Sequence, residues 1–405
     1  MKHFSLPKFI SQYVTEREES LFAEDLASYH DRLAREIDGK SALVIGGAGT
    51  IGSSFIRALL RFKPASLYVI DTNENGLTEL TRDLRSSVGL HVPENYKPYP
   101  INFGDPVFTK IMRNEGPFDI VANFAAHKHV RSEKDHYSIE AMIDNNVLKA
   151  KELLELLLAY PPKHFFCVST DKAANPVNVM GASKKLMEEV ILAYSDRLKI
   201  STARFANVAF SNGSLLFGFM ERMMKEQPLS SPSDVRRYFV SPEESGQLCL
   251  LACILGKSGE IFFPNLGEEQ MRTFSSIAED FLQEYGNYRP DYCDSEEEAR
   301  QRARQLSPQS DTYPVYFFPS STSGEKQFEE FYTEGEELDR ERFAQLGVIL
   351  NAGRKSIADI DVMFAKLHAQ FQDLKIDKAA IVKLIADFIP NFEHIETGRS
   401  LDQKM

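Results

Sequence analysis

The segment SALVIGGAGTIGSSFIRALL, beginning at Ser41, constrains the fold more than any other part of the chain. A short apolar run stops at Gly46, two further glycines follow at Gly49 and Gly52, and an amphipathic pattern begins at once. Such a strand must turn sharply at the first glycine, leave bare backbone at the second and let a helix sit close at the third. Amides at the head of that helix, with Thr50 and Ile51 in its first turn, form a cradle for a pyrophosphate. Gly46, Gly49, Thr50, Ile51 and Gly52 are therefore the expected dinucleotide contacts. Alone, GxxGxxG also fits a flexible turn; its place between strand and helix favours the cradle.

The next apolar run, SLYVID from Ser66, closes on Asp71, about twenty residues beyond the glycines, where a carboxylate accepts hydrogen bonds from the adenosine ribose. Thr72, Asn73 and Glu74 follow without a basic residue, and a 2′-phosphate would meet Asp71 with repulsion. NAD is favoured over NADP. A helix near 75–87, a strand near 97–101, a helix near 106–115, the strand FDIVANFAA and, after a long helix, the strand FFCVST at 165–170 continue the alternation. This predicts an α/β fold, a Rossmann-type doubly wound parallel sheet, with substrate beyond the carboxyl ends of its strands. Asn123 to Ala126 then line the cofactor, Ala125 among them, and Asp105 is placed to meet the adenine.

Four units are expected. Residues 1–38 read as an N-terminal helical extension, with Leu21, Phe22, Leu26, Tyr29 and Leu33 at helical spacing. Residues 39–210 form the dinucleotide-binding domain, and 211–334 a smaller substrate lobe with a polar insertion near 291–313. Residues 335–405 read as a helical appendage, carrying IADIDVMFAKLHAQF and KAAIVKLIADFI.

A net charge of −12 argues against holding nucleic acid by broad phosphate neutralisation and points to a small partner. Cys167, Cys249, Cys253 and Cys293 make no CxxC pair and read as reduced, structural residues; no metal site is expected. The opening MKHFSLPKFISQYV lacks an apolar h-region, and no later run approaches the roughly 18 apolar residues of a membrane span. A cytoplasmic protein is expected.

Chemistry concentrates in Ser169-Thr170-Asp171-Lys172-Ala173 and Asn175-Pro176-Val177-Asn178-Val179-Met180-Gly181-Ala182-Ser183-Lys184. This stretch resembles the nucleotide-sugar 4,6-dehydratases, and most of all the bacterial UDP-N-acetylglucosamine 4,6-dehydratases of surface-glycan synthesis. KHV at 128–130, RFANV at 204–208, RYF at 237–239 and SGEKQFEEF at 323–331 extend the likeness. The resemblance implies an extended short-chain dehydrogenase/reductase that binds a nucleotide-activated sugar and forms homo-oligomers. It also implies a reaction: oxidation at C4, loss of water across C5 and C6, and return of the hydride to C6.

The chemical logic stands on its own, because a C5 hydrogen is hardly acidic until C4 is a ketone, after which an adjacent base and acid can expel the C6 hydroxyl. Asp171 and Lys172, at a strand end, suit those roles if burial and their neighbours hold the first protonated and the second neutral. The resemblance assigns Asp171 as acid, Lys172 as base, Thr170 as a guide for the C4 hydroxyl and Lys184 as a contact of the nicotinamide ribose. It also places Lys128, His129 and Asn207 at the sugar nucleotide, with Arg237 on the diphosphate, where a guanidinium fork suits phosphate oxygens.

Three departures qualify it. Met180 occupies, on the face shared with Lys184, the place where most of the superfamily has tyrosine, and a thioether cannot take the C4 hydroxyl proton. Either that step is lost or the proton leaves through Lys184, Thr170, Asp171 or water; a methionine-bearing branch of these dehydratases favours activity. Asn212 stands where an arginine is expected, and Ser321-Thr322-Ser323 precede Gly324-Glu325-Lys326 where relatives read RPGEK, so the nucleotide is left open. A 4-epimerase or 4-keto reductase, and a catalytically silent dinucleotide binder, are the alternatives.

Overall fold

The computed structural model describes residues 4–320, 326–373 and 376–396. Among these, nine strands make one sheet. In chain order they are β1 (Ser41–Ile45), β2 (Ser66–Ile70), β3 (Asn95–Tyr99), β4 (Ile120–Asn123), β5 (His164–Val168), β6 (Ile200–Ala203), β7 (Glu260–Pro264), β8 (Leu338–Asp339) and β9 (Leu346–Ile349). Their spatial order is β3-β2-β1-β4-β5-β6-β7-β9-β8. Strands β1 to β7 are mutually parallel, and β9 runs antiparallel between β7 and β8. The order reverses between β1 and β4, which opens a crevice at their carboxyl ends.

The strands are apolar almost throughout because helices cover both faces. On one face Leu43 and Ile45 pack with α3 (Pro106–Glu115), α4 (Lys149–Ala159) and α5 (Val179–Ala193). On the other, Ala42 and Val44 pack with α1 (Thr50–Leu60), α2 (Glu74–Ser86) and α6 (Pro242–Leu255). Helix α6 is buried at every position from Glu244 to Leu255, since α1 lies against it; a Cβ on Gly246 would sit 2.2 Å from the Ser54 carbonyl oxygen. All four cysteines are buried and unpaired.

Two expected boundaries are corrected. The segment 335–405 is not purely helical: β8 and β9 complete the main sheet before α7 (Ile357–Phe371) packs over α5 and α8 (Lys378–Phe388) packs against α7. Leu346–Ile349 is too short an apolar run for periodicity to separate strand from helix, and pairing with β7 decides it. Strand β7 likewise belongs to the main sheet although it lies within 211–334. The stretch near 291–313 is a βαβ unit: strand Arg289–Tyr292, helix Glu296–Ala303 and strand Thr312–Phe318, extended by Leu229–Pro232 into a three-stranded parallel sheet. Residues before Ser41 bridge the two regions, with Phe9, Ile10 and Val14 in the core of the lobe and Phe22, Leu33 and Ile37 against the main sheet. No helix among the described residues is long and apolar enough to cross a membrane.

One polar cluster runs through this apolar interior. Arg204, just past β6, is fully buried and forms a two-pronged pair with Glu188 of α5, its Nε and Nη2 each 3.0 Å from a carboxylate oxygen. Ser169 Oγ donates to the same carboxylate at 2.6 Å, while Arg204 also donates to the Phe331 carbonyl (2.9 Å) and to Glu336 (3.1 Å). Burial alone would push Glu188 up; Arg204 above all, then Lys185 and the bond from Ser169, outweigh it and hold the carboxyl at about 2.

Breaking a buried pair strands its partner charge, so Glu188→Gln is expected to lose about 3–5 kcal/mol of unfolding free energy in urea titrations at neutral pH. Because the folded value is depressed, this contribution is complete above the ordinary glutamate value of 4.5 and fades as pH falls toward about 2. The gap between native chain and variant should therefore close on acidification; a gap independent of pH would contradict the assignment.

Candidate active site

Strand register lines up the site. Ile45 pairs with Ile70 and Asn123, Asn123 pairs with Cys167, and Val168 pairs with Ala203. Gly46, Asp71, Phe124, Ser169 and Arg204 therefore leave the sheet along one edge. Gly46 has φ +74 and donates to the Ile70 carbonyl at 2.7 Å; a Cβ there would lie 2.5 Å from the Ala125 amide nitrogen. At Gly52 a Cβ would come within 2.3 Å of the Gly46 oxygen, so only glycine lets α1 approach this closely. Gly49 caps α1 without a side chain, leaving the amides of the Thr50–Ile51 turn open to an anion.

Asp71 is fixed from both sides: one carboxylate oxygen accepts from the Ala48 amide and the other from the Asn73 amide, each at 2.9 Å. Each oxygen keeps a further acceptor position for a hydroxyl. Asp71, the glycines, Thr50, Ile51, Ala125 and Lys128 line a cavity of about 330 Å³. These residues fit a dinucleotide. Asp105 is not in that wall; it caps α3 and its carboxylate turns back to the Asn102 amide at 2.8 Å, while Ile101, Asn102 and Phe103 line the cavity instead.

Beyond β5 the chain makes a single turn, Asp171–Ala173. Asp171 is buried, and one of its oxygens accepts from the Thr170 hydroxyl (2.8 Å), the Lys172 amide (2.9 Å) and the Lys172 amine (3.1 Å). The expectation that burial and its neighbours would hold Lys172 neutral is corrected. Burial does favour the free amine, but Asp171 and, at 3.6 Å, Glu329 outweigh it against a smaller opposing effect of Arg237, and the pKa is raised.

Helix α5 abuts this turn. Asn178 caps it by accepting from the Gly181 amide at 2.7 Å, and a Cβ on Gly181 would be 2.6 Å from the Lys172 carbonyl oxygen. Met180 and Lys184 are both buried. The Lys184 amine lies 3.2 Å from the Met187 sulfur, and burial pushes its pKa down against weaker pulls from Cys167 and Glu188. Sequence reasoning missed Asn146, which sits in a π-helical segment (Asp144–Leu148): it bonds the backbone of His127 in both directions (2.8 and 2.9 Å) and Ser183 Oγ (3.0 Å), tying the loop after β4 to α5. A helical bulge with a buried asparagine was the only signal available.

The expected substrate contacts divide. Asn207 is half-buried, its amide donating to the Tyr238 carbonyl at 3.0 Å. Lys128 donates to the Asn212 carbonyl at 3.0 Å; the residue as a whole is exposed, yet its amine is desolvated and its pKa lowered. Asn212 in turn donates its amide to Thr50 Oγ1 at 2.9 Å, joining the glycine turn to the lobe. His129 faces a second, open cavity of about 480 Å³ shared with His127, Lys134 and Gly213.

Arg237 is neither a surface pair nor a free phosphate ligand. It is buried, and its guanidinium donates to the carbonyls of Arg236 (2.9 Å), Gln327 (3.1 Å) and Lys326 (3.0 Å), with Glu329 at 3.8 Å. The substituted motif at Ser321–Glu325 lies outside the described residues. At the carboxyl end, the amides of Glu393 and Ile395 bond the carbonyls of Pro176 and Val177 (3.2 and 3.0 Å), so that segment lies along the loop entering α5.

Residues 42–350 match the family described as polysaccharide biosynthesis protein. The chain belongs to that family. It is a family of the extended short-chain dehydrogenase/reductase type, within the nucleotide-sugar dehydratase and epimerase group. Among its members' relatives, an uncharacterized membrane protein of Methanocaldococcus jannaschii is 33% identical over 259 residues, covering 62% of this chain and 74% of that protein. The capsular polysaccharide biosynthesis protein CapD of Staphylococcus aureus is 31% identical over 240 residues, 58% of this chain but 39% of that longer protein. More distant matches include an inverting UDP-N-acetylglucosamine 4,6-dehydratase of Campylobacter jejuni (26% identical; 56% of this chain, 68% of that one) and a UDP-glucose 4-epimerase of Rickettsia typhi (29%; 55% and 65%). Among solved structures, the dTDP-glucose 4,6-dehydratase DesIV of Streptomyces venezuelae, with NAD bound, shares the fold at a TM-score of 0.54 and 19% identity, covering 72% of this chain and 87% of that one.

Within this family fold Arg237 is a clamp on the segment that carries Glu329. Arg237→Leu should free the carbonyls of Lys326 and Gln327 and accelerate tryptic cleavage after Lys326 by about tenfold, as expected for about 1.4 kcal/mol of local opening. An unchanged cleavage rate at Lys326 would contradict the clamp.

Proposed function

We propose that this chain is a nucleotide-sugar 4,6-dehydratase, acting on UDP-N-acetylglucosamine or a related nucleotide-activated hexose for glycan biosynthesis, with NAD as cofactor. The observation that carries the reading is the Asp171–Lys172 pair, joined by a 3.1 Å hydrogen bond on a strand-end turn whose carbonyl touches the helix of Met180 and Lys184. Neither epimerisation nor simple ketone reduction requires an acid and a base beside C5 and C6.

A bound nicotinamide supplies hydride acceptance at C4 and its return to C6. Asp71 and the glycine turn hold the dinucleotide, and Asn146 fixes the loop whose Ala125 forms the cavity wall. With tyrosine replaced by Met180, Lys184, biased toward the free amine by burial, is the group able to take the C4 hydroxyl proton, while Thr170, whose hydroxyl donates to Asp171, orients that hydroxyl. Lys172 rests as an ammonium and passes a proton to Asp171 along their hydrogen bond, giving a free amine next to a carboxylic acid. The amine removes the C5 proton, and the acid protonates the departing C6 hydroxyl, which leaves as water. Lys172, now carrying the C5 proton beside an ionised Asp171, returns that proton to C5 as the hydride comes back to C6. The proton taken from the C4 hydroxyl by Lys184 passes through water to Lys172, which restores the resting ammonium–carboxylate pair.

The 4-epimerase reading draws on the Rickettsia typhi relative, whose identity to this chain is slightly higher than that of the Campylobacter enzyme. Incubation with UDP-N-acetylglucosamine and its GDP and TDP counterparts, without added reductant, separates the two. The dehydratase yields a product lighter by one water in mass spectra, whereas an epimerised product has unchanged mass. Lys172→Ala should bind NAD as the native chain does yet release no water; sustained turnover would remove Lys172 from the mechanism. Asp71→Ala should weaken NAD binding by about 10- to 100-fold in a fluorescence titration, the range for a hydrogen bond to a charged group. Equal affinity would undo the ribose assignment.

A further inference from the structure

Residues 326–331 form a strap held across the site. Arg237 binds the carbonyls of Lys326 and Gln327, Arg204 binds that of Phe331, and Asn175 donates to Glu330 at 2.8 Å. From Phe328 onward the side chains alternate: Phe328 and Glu330 are exposed, while Glu329, 4% exposed, and Phe331 are turned inward. Its carboxylate lies 3.6 Å from the Lys172 amine and 3.8 Å from Arg237. Taking a carboxyl out of water is costly, so a chain that delivers one to a half-buried lysine by three separate anchors has placed it against that lysine.

We propose that Glu329 is a positioning residue that sets where the proton sits between Lys172 and Asp171, and thereby when Lys172 is available as a base. The inference deepens the dehydratase reading and rests on it for the meaning of that base. The charged groups facing Glu329 are Lys172, Asp171, Arg237 and Lys326. Ionised Glu329 adds a second anion beside Lys172 and favours the ammonium. When Glu329 takes up a proton, Lys172 keeps Asp171 as its only close anion, and its proton moves more readily along the 3.1 Å bond to Asp171. Burial pushes Glu329 upward, with Asp171 adding to it and Lys172 and Arg237 opposing, which makes this a carboxyl able to hold a proton closer to neutral pH than an exposed glutamate.

Competitive acetylation of the 405-residue chain with acetic anhydride, followed by mass spectrometry of the Lys172 peptide between pH 7 and 12, reads the free amine directly. It does so whatever reaction the site performs. Glu329→Gln is expected to label Lys172 about tenfold faster at a given pH, the change that follows from a one-unit fall in its pKa. Glu329→Asp, which keeps the charge, should label close to the native rate. If the Gln variant does not fold, as judged by lost NAD binding, the native chain carries the test: Lys172 must titrate above the ordinary lysine value of 10.5. Native-like labelling in a folded Gln variant, or a native titration at or below that value, overturns the proposal. Failure of water loss in native protein with the labelling shift intact would instead count against the dehydratase reading.

Discussion

The buried pair of Arg204 and Glu188 holds the rest of the site together. A guanidinium with no exposed surface must have its donors satisfied, and here they are met by Glu188 of α5 and, far along the chain, by the Phe331 carbonyl and Glu336. Glu188 belongs to the helix of Met180 and Lys184. Ser169, bonded to the same carboxylate, immediately precedes Thr170, Asp171 and Lys172. Phe331 and Glu336 anchor the far end of the strap that carries Glu329. One interaction thus joins the reactive turn, the cofactor-side helix and the strap, and removing either charge would leave the other stranded in an apolar interior. The geometry of Asp171 and Lys172 is inherited from it.

The glycine turn was legible in sequence because its constraints are local. Gly46 needs a positive φ, Gly52 a backbone contact that no side chain allows, and both demands follow from a strand turning straight into a helix. The parallel sheet and the position of Asp71 follow from the same periodicity. What the sequence concealed depends on partners far along the chain. Leu346–Ile349 reads as part of a helical tail until β7 pairs with it, and Asp105, read from sequence as an adenine contact, lies outside the cavity lining, where Ile101, Asn102 and Phe103 stand instead. Arg237 suits a phosphate in isolation, but the carbonyls of residues 326 and 327 use its donors. Glu329 lies within SGEKQFEEF, but nothing local sets it apart from Glu330, since only a strap held at both ends turns it inward.

These corrections alter the chemical reading. With Arg237 engaged and Asn212 linking Thr50 to Lys128, the side of the crevice expected to grip a diphosphate presents Lys128 and the neighbouring histidine-lined cavity instead. Lys172 sits in an ion pair and is not a solitary neutral amine, so under the proposed reaction a proton shifts within the Lys172–Asp171 bond before C5 is deprotonated. Lys184 is the complementary case: a buried amine beside a thioether, with its pKa pushed down. Two lysines held in opposite directions by their surroundings are what a site needs if one is to release a proton on demand and the other is to accept one in the absence of tyrosine.

The central claim is that one active site oxidises C4, eliminates water across C5 and C6, and returns the same hydride to C6. A nucleotide-activated N-acetylglucosamine carrying deuterium at C4 tests it directly, with the product followed by mass spectrometry and NMR. The account predicts a product lighter by one water that retains the deuterium at C6. A product of unchanged mass, or one lighter by water whose C6 carries no deuterium, would contradict it.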